Sequence, residues 1–449
     1  MSRRRPAPSP APAPGATTDR KQRILTHGTP SVTSSIADAV VIKSENVFFL
    51  SDENGCVPLA PGHGLGLYYH DCRYLRGYEL LLGTECPTVL ATSADGDRSV
   101  FQLANPDLRL GRSLLARENV EIRWTRQLVG ATPALHETLV FRNLGLESIT
   151  LPFSLSFDAR FEDLFAVRGL FVEPLGRLRR PVWRGRTLRL AYDGKDQCRR
   201  ALRITFSRSP QHRSGRTARF TLTLPPRRSV SVGITLTIEE HARAAARAPA
   251  TLQRTTRAHT LAREPRTSVT TDSPLLDAVL ARSFADLHTL RSSIDGQEYY
   301  AAGVPWFATL FGRDAAITAI EMLAYEPRVA EHTARLLAHY QARDTSEWRD
   351  EQPGKILHSI RVGEMARLHS IPHTPYYGTV DATPLFLILI GAHAAWTGDL
   401  SLFQQLLPNV ELALAWMTGN ADSNGDGYID YLSTSEHGLI NQGWKDSGD

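Results

Sequence analysis

Aromatic, basic and acidic side chains are mixed in four segments of the second half of the chain. This mixture suits a sugar, because the apolar face of a pyranose ring stacks on an aromatic ring while its hydroxyls need donors and bidentate acceptors. A packing role would explain the aromatic residues alone, since buried charges are costly unless they are paired or used. The four segments are GVPWFATLFGRDAAITA (303–319), GKILHSIRVGEMA (354–366), PYYGTVDATPLF (375–386) and GLINQGWKDSGD (438–449).

The first half of the chain has the alternating pattern of β-strands. Apolar residues recur at every second position over 149–157 and 230–238. VEIRWTRQL and ALHETLVFRN are further strand candidates, separated by Gly, Pro and Asn turns. Many strands without intervening helices predict an antiparallel β-sandwich, which we assign to residues 31–239. A tail rich in Pro, Ala and Arg, residues 1–30, precedes it and is expected to be disordered.

The apolar period becomes helical after a polar connector at 240–272. Ser273 can cap a helix whose first residue is Pro274. Residues 384–396 are apolar on every face, which predicts a helix enclosed by other helices. About five helices are expected between Pro274 and the end of the sequence. The helical domain is therefore assigned to residues 273–449.

Composition excludes several classes of function. The 449 residues are 42% hydrophobic, which is typical of a soluble protein of about two or three domains. The formal charge of +4 is carried by the basic tail, so no nucleic-acid partner is predicted. No apolar run approaches the roughly 18 residues of a membrane span, and the tail lacks the apolar segment of a signal peptide. We therefore expect a cytoplasmic protein without a membrane partner.

Neither cofactor nor metal is predicted. The four cysteines have no metal-ligand spacing and are expected to be free thiols. ADSNGDGYIDY, which starts at Ala421, matches the early positions of a calcium loop, but Ser433 occupies the twelfth position, where a bidentate Glu belongs. A tight Asn-Gly and Asp-Gly turn explains the same residues, and we prefer it to calcium.

Several long motifs resemble one family. From about Ser35 onward the chain is similar to bacterial amylo-alpha-1,6-glucosidases, a glycogen-debranching-enzyme-like family. The resemblance implies an N-terminal β-sandwich, a C-terminal (α/α)6 barrel of the glucoamylase and trehalase type, and an α-glucan substrate. It rests on GLGLYYHDCRYLRGYELLLG, FDARFEDLFAVRG, VPWFATLFGRDAAITA, GEMARLHSIPHTPYYGTVDATPLF and NQGWKDSGD.

The resemblance also implies roles for residues that bind the sugar. Arg313 and Asp314 in LFGRDAA fall where an Arg-Asp pair holds the hydroxyls of the sugar whose bond is cut, and Asp381 resembles another carboxylate of this kind. Further residues are expected to line the pocket. These are Trp306, Phe307, Glu364, Tyr376, Tyr377, Trp444 and Lys445.

The resemblance implies that Asp446 in QGWKDS is the general acid of an inverting glycosidase. Such an enzyme needs a second carboxylate, which activates water and lies roughly 6.5–9.5 Å from the acid. In the resembling families this base comes late in the barrel, and about five helices cannot complete a toroid of twelve. We therefore expect a C-terminally truncated member that carries the first half of the barrel and lacks the general base.

Three functions follow from these expectations. The first is hydrolysis of α-glucosidic bonds in glycogen-like or other α-glucans. The second is a non-catalytic glucan-binding fragment, which the missing half-barrel would explain. The third is a glycoside phosphorylase, because similar barrels replace the base with phosphate.

Overall fold

The computed structural model describes residues 36–111, 113–169, 176–242 and 267–445. The predicted tail, most of the predicted linker and Asp446 lie outside these residues. The helices are α1 (Leu164–Val167), α2 (Pro274–Leu290), α3 (Gly312–Glu321), α4 (Pro327–His339), α5 (Glu364–Arg367), α6 (Ala382–Thr397) and α7 (Ser401–Thr418), with a 3-10 turn at Glu347–Arg349. The strands are β1 (Val40–Ser44), β2 (Val47–Ser51), β3 (Gly66–Tyr69), β4 (Cys72–Leu75), β5 (Gly77–Leu82), β6 (Thr88–Asp95), β7 (Arg98–Ala104), β8 (Leu108–Leu110), β9 (Ser113–Leu115), β10 (Val120–Val129), β11 (Ala134–Asn143), β12 (Ile149–Asp158), β13 (Glu162–Asp163), β14 (Arg177–Leu178), β15 (Val182–Arg184), β16 (Thr187–Asp193), β17 (Cys198–Phe206), β18 (His212–Ser214), β19 (Thr217–Leu224), β20 (Ser229–Ala242), β21 (Arg291–Ile294) and β22 (Gln297–Tyr300).

Antiparallel sheets dominate the first half of the chain. The largest has the order β14-β16-β17-β20-β11-β10-β7-β6, with β15 beside β16. A second sheet runs β18-β19-β12-β5 and a third β1-β2-β3-β4-β13. The predicted strands at 149–157 and 230–238 lie within β12 and β20, and VEIRWTRQL pairs with ALHETLVFRN as β10 and β11. The prediction of an N-terminal domain rich in antiparallel sheet is confirmed.

The alternating residues of these strands form one core. Leu151, Phe153, Leu155 and Phe157 of β12 are buried, and Phe153 lies 4.9 Å from Phe141 of β11, ring centroid to ring centroid. The second sheet therefore packs on the largest one. Full burial stabilises a large apolar side chain by about 1.5–3 kcal/mol, which explains why one face of each strand is apolar.

Helices α3, α4, α6 and α7 pack together in the second half of the chain. Helix α3 begins beside α6, and Gly312 is required there. A Cβ at position 312 would lie 3.0 Å from the Cβ of Ala382 and would clash with the carbonyl oxygen of Leu357. Side chains at the start of α3 are thereby brought close to the start of α6.

Helix α2 starts as predicted, and one prediction about helix packing needs correction. Ser273 caps α2 at Pro274 as predicted, accepting a hydrogen bond from the backbone N–H of Leu276. However, no residue of α2 is buried, because the helix lies on the surface and mainly its C-terminal half packs, through residues such as Phe284. In α6, which was expected to be enclosed, Ile388 and Trp396 are exposed because no described element covers that face. Among the described residues, no helix is both long and apolar enough to cross a membrane.

Charged side chains fix the helical part against the sheets. Arg361 donates to the carboxylate of Asp71 at 2.9 Å. Arg367 of α5 donates to Asp196 at 3.3 Å and to Glu240 at 2.9 Å. Glu240 belongs to β20, although the sequence places it in the predicted linker. The interface is therefore a polar network, in which carboxylates offset the charges of the buried Arg361 and the half-buried Arg367.

The dependence of the free energy of unfolding on acid pH should reflect the ionisation of Glu240. Burial alone would raise the pKa of its carboxyl, but His70, Arg367 and Arg200 outweigh burial and hold the pKa well below the ordinary 4.5. Below about pH 4.5 the unfolded chain therefore binds more protons than the folded protein, and the stabilisation is lost as the pH falls. We expect Glu240→Gln to lower the free energy of unfolding by about 2 kcal/mol at neutral pH and to flatten its acid dependence.

Urea denaturation at a series of pH values measures this effect. Glu239→Gln is the matched control, because Glu239 neighbours Glu240 in β20 but pairs with Arg189 and Arg203, which belong to the sheet. Parallel acid profiles for the wild-type protein and Glu240→Gln would contradict the assignment.

Candidate active site

The structure brings parts of all four segments together. The N–H of Gly312 donates to the carbonyl of His358 at 3.0 Å, and the N–H of His358 donates to the carbonyl of Tyr376 at 2.7 Å. The N–H of Val380 donates to the carbonyl of Gln442 at 2.9 Å. These backbone bonds join the first segment to the second, the second to the third and the third to the fourth.

Arg313 is the centre of a charged group at the starts of α3 and α6. Its Nη1 atom donates to Oδ2 of Asp381 at 3.0 Å, and its Nε lies 3.9 Å from the carboxylate of Asp314. Thr379 donates to the other oxygen of Asp381 at 2.7 Å. Both carboxylates lie near a helix N-terminus, where the helix dipole favours negative charge. Asp381 keeps further lone pairs for a ligand, since a carboxylate accepts about four hydrogen bonds.

The fourth segment passes directly over this group. Arg313 donates to the carbonyl of Gly443 at 3.3 Å, and its guanidinium lies 5.5 Å from the ring centroid of Trp444. Trp444 is 72% exposed, so its ring offers an open apolar surface beside the two carboxylates. Lys445 is exposed at the next position. The predicted general acid, Asp446, lies outside the described residues.

Tyr376 and Tyr377 fix the third segment to the protein interior through their hydroxyls. The Tyr376 hydroxyl donates to Asp350 at 2.8 Å, and the Tyr377 hydroxyl donates to the carbonyl of Tyr340 at 2.7 Å. Burial and the nearby Asp350 charge raise the pKa of Tyr376, so its hydroxyl stays neutral. Both phenols are buried, and their hydrogen bonds lead into the protein.

Two predicted site residues, Trp306 and Glu364, are placed differently, and Phe307 lies near the start of α3. Trp306 is buried in the core of the N-terminal sheets, and Arg361 donates to its carbonyl at 2.7 Å. Phe307 is 43% exposed and packs against Phe311 at 5.8 Å between ring centroids, on the approach to α3. Glu364 accepts hydrogen bonds from the Tyr192 hydroxyl at 2.7 Å and from the N–H of Lys195 at 2.6 Å.

Glu364 therefore connects α5 to the sheets and does not join the group around Arg313. We leave Glu364 and Trp306 out of the proposed site for the same physical reason. The interface with the sheets buries both side chains. A single sequence gives no signal for which residues of a segment face another domain.

A cavity of about 530 Å³ lies elsewhere, between the sheets and the helices. Asp71, Arg361, Arg367 and Tyr377 are among its lining residues. Its charged lining is engaged in the ion pairs that join the two parts of the chain. The group around Arg313 is more open to solvent and offers both carboxylates and an aromatic surface, so we prefer it as the candidate site.

The loop that starts at Asp422 has the hydrogen bonds of a tight turn. Asp422 accepts from the N–H groups of Asp426 and Gly427, and Asn424 also accepts from that of Asp426. Within the described ranges, no group of three His, Cys, Asp or Glu residues could hold a metal ion. The four cysteines are free thiols, as predicted.

Sequence reasoning missed Asp350. Its carboxylate is buried and accepts hydrogen bonds from Tyr376 of the third segment and Gln442 of the fourth. It lies in WRDEQPG, outside the four predicted segments. Its acidic side chain before a Pro-Gly turn was the available signal, but nothing local shows which distant groups it meets.

Comparisons with known proteins agree with this architecture. Residues 42–235 match the family model described as the N-terminal domain of (some) glycogen debranching enzymes. No curated protein sequence matches the chain. Among solved structures, one described as "Putative kojibiose phosphorylase from human microbiome" is similar, with a TM-score of 0.55 and 8% identity over 86% of this chain. A bacterial glucoamylase complexed with acarbose is 10% identical and covers 88% of this chain and 69% of its own, with a TM-score of only 0.33.

The chain spans 58% of the length of the phosphorylase-like structure. At this level of identity the match shows a shared fold, with antiparallel sheets followed by helices. The first half of the chain is thus similar to the N-terminal domain of (some) glycogen debranching enzymes, and most of the chain shares its fold with that phosphorylase-like protein.

Proposed function

We propose that this protein belongs to the enzymes that act on α-glucans and that it binds a glucose unit at Arg313, Asp314, Asp381 and Trp444. The observation that carries the proposal is the Arg313–Asp381 pair beneath the exposed ring of Trp444. An aromatic platform beside paired carboxylates matches a pyranose, which has one apolar face and a rim of hydroxyls. The match of residues 42–235 to a debranching-enzyme domain supports the same class of substrate.

The reaction we favour is inverting hydrolysis of the amylo-alpha-1,6-glucosidase kind. Asp446 would donate a proton to the departing oxygen, and a second carboxylate would take a proton from the attacking water. We assign Asp446 from its position two residues after Trp444, and we assign no base among the described residues. We further propose that α2, α3, α4, α6 and α7 belong to the first half of an (α/α)6 barrel, and that the sheets before Glu239 form a β-sandwich domain.

Phosphorolysis is the second candidate, because a fold match with a TM-score of 0.55 is to a phosphorylase-like protein. Panose, a trisaccharide with a terminal α-1,6-linked glucose, separates the possibilities. Hydrolysis releases free glucose and maltose without phosphate, whereas phosphorolysis releases glucose 1-phosphate only when phosphate is present. Kojibiose should be tested alongside, and saturable binding without either product would identify a glucan-binding fragment.

Arg313 tests the sugar-binding site directly. We expect Arg313→Met to weaken binding of panose about 100-fold, or about 2.8 kcal/mol at 1.4 kcal/mol per tenfold. The reason is that Asp381 and Asp314 lose the cation between them and Trp444 loses the group beneath its ring. Isothermal titration calorimetry measures the change. Arg313→Lys keeps the charge but lacks the forked donors of arginine. Its affinity for panose should therefore lie between those of the wild-type protein and Arg313→Met.

Arg282→Met is the matched control for Arg313→Met. Arg282 pairs with Asp286 on the exposed face of α2, so its loss should leave affinity unchanged. Affinity of Arg313→Met within twofold of the wild-type value would exclude this site.

A further inference from the structure

We infer that Asp350 is a positioning residue of the glucan site, which holds the segment that carries Trp444 in register with the segment that carries Asp381. This inference rests on the proposed function for the glucan, but the anchoring itself rests on hydrogen bonds within the chain. Asp350 acts through the backbone of the two segments, by way of its hydrogen bonds from Thr434, Gln442 and Tyr376.

The carboxylate of Asp350 accepts hydrogen bonds from both ends of one stretch of chain. Oδ1 accepts from the N–H and hydroxyl of Thr434, both at 2.7 Å, and from the N–H of Ser435 at 3.0 Å. Oδ2 accepts from the side-chain amide of Gln442 at 3.1 Å. Gln442 precedes Gly443 and Trp444 directly. A single buried carboxylate thus closes residues 434–442 into a loop.

The same carboxylate is tied to the third segment. Oδ2 also accepts from the Tyr376 hydroxyl at 2.8 Å, and that hydroxyl accepts from the N–H of Leu439 at 2.7 Å. Tyr376 lies five residues before Asp381 in the sequence. Asp350 is therefore a common acceptor for the chain leading to Asp381 and the chain leading to Trp444. Hydrogen bonds to a charged group are stronger than those between neutral groups, so together they favour one arrangement of the two segments.

The local backbone is adapted to this task. Asp350 has a left-handed conformation with φ of 48°, which Asp tolerates better than most residues. The Lys355 ammonium donates to its carbonyl at 3.2 Å. Gly438 passes close to the same group, because a Cβ there would lie 2.5 Å from the Tyr376 hydroxyl and 2.9 Å from Oδ2 of Asp350. The loop can close on the carboxylate only with glycine at that position.

Hydrogen–deuterium exchange of the whole chain tests the anchoring without any sugar. We expect Asp350→Ala to speed exchange at least tenfold in peptides covering residues 433–445 and to leave peptides from β10 and β11 unchanged. Asp350→Asn retains an oxygen for Thr434 and Ser435 and should have a smaller effect. Glu351→Gln is the matched control, because Glu351 lies next to Asp350 in the same turn and pairs with Arg349 instead.

A double-mutant cycle tests whether the anchoring serves the glucan site. Panose affinity should fall at least tenfold in Asp350→Asn, and this loss should shrink to less than twofold when Trp444→Ala is already present. A purely structural role would give additive losses and would overturn the positioning role. If Asp350→Ala does not fold, Gln442→Ala removes one anchor from the segment side and should speed exchange of residues 433–445 by itself.

The two experiments separate the anchoring by Asp350 from its role in the glucan site. Unchanged exchange of residues 433–445 in both Asp350→Ala and Gln442→Ala overturns the anchoring, whatever the sugar does. Absence of panose binding by the wild-type chain contradicts the proposed function and removes the glucan-site role of Asp350, while faster exchange in the variants would still establish the anchor.

Discussion

In a version of the protein that also carries the general base, replacing Asp446 by asparagine should lower the rate of glucose release from panose about a thousandfold and leave panose affinity nearly unchanged. A positioned general acid contributes about 10²–10⁴ to the rate, and an amide cannot supply the proton that the departing oxygen needs. Sugar binding should persist, since the proposed contacts come from Arg313, Asp314, Asp381 and Trp444. The kcat and the dissociation constant, measured on the same preparations, separate the two effects.

Asp430→Asn is the control for this variant. Asp430 accepts a hydrogen bond from Ser423 in an exposed turn, so removing its charge should leave the rate unchanged. If Asp446→Asn released glucose at a rate within tenfold of the wild-type rate, Asp446 would not be the general acid. If phosphate-dependent product formation also survived, both catalytic proposals would lose their proton donor.

The second large effect concerns stability and the buried Arg126–Glu137 pair. Arg126 of β10 lies with its guanidinium 3.9 Å from the ring centroid of Trp124 and donates to Glu137 of β11, which also accepts from the Tyr78 hydroxyl. The side chains of Arg126 and Glu137 are fully buried. Burial raises the pKa of Glu137, although Arg126 and Tyr78 lower it. The carboxylate is therefore tolerated because its cation is adjacent.

We expect Glu137→Gln to lower the free energy of unfolding by about 3–5 kcal/mol, because it leaves the Arg126 charge buried without its counter-ion. The double variant Arg126→Met, Glu137→Leu should be less destabilised than the single one, since it removes both charges from the apolar core. Urea denaturation at neutral pH measures both. Two results would contradict this account of the core. One is Glu137→Gln being as stable as the wild-type protein, and the other is the double variant being less stable than Glu137→Gln.

The sheets were predictable because their signal is local. Alternation over 149–157 reflects the opposite faces of a strand, and one face of β12 is buried as the pattern requires. The mixed charged and aromatic segments also gave a useful prediction, as parts of all four lie together. What the sequence could not show was the direction in which each side chain of a segment points. Trp306 and Glu364 belong to the right segments, but their side chains meet the N-terminal sheets.

The residues that were missed depend on contacts between distant parts of the chain. Asp350 meets Thr434 and Gln442, more than 80 positions away, and no local pattern marks such a pairing. Glu240 was placed in the linker because the residues after it are polar and rich in Ala, yet β20 continues to Ala242. The enclosure expected for α6 failed for a related reason, since an apolar surface predicts burial without identifying what covers it.

The most direct test of the central claim is a crystal structure of the protein with panose bound. The account predicts a glucose ring stacked on Trp444, with its hydroxyls within hydrogen-bonding distance of the carboxylates of Asp314 and Asp381. Panose bound instead in the cavity lined by Asp71, Arg361 and Tyr377, with the group around Arg313 free of sugar, would contradict it.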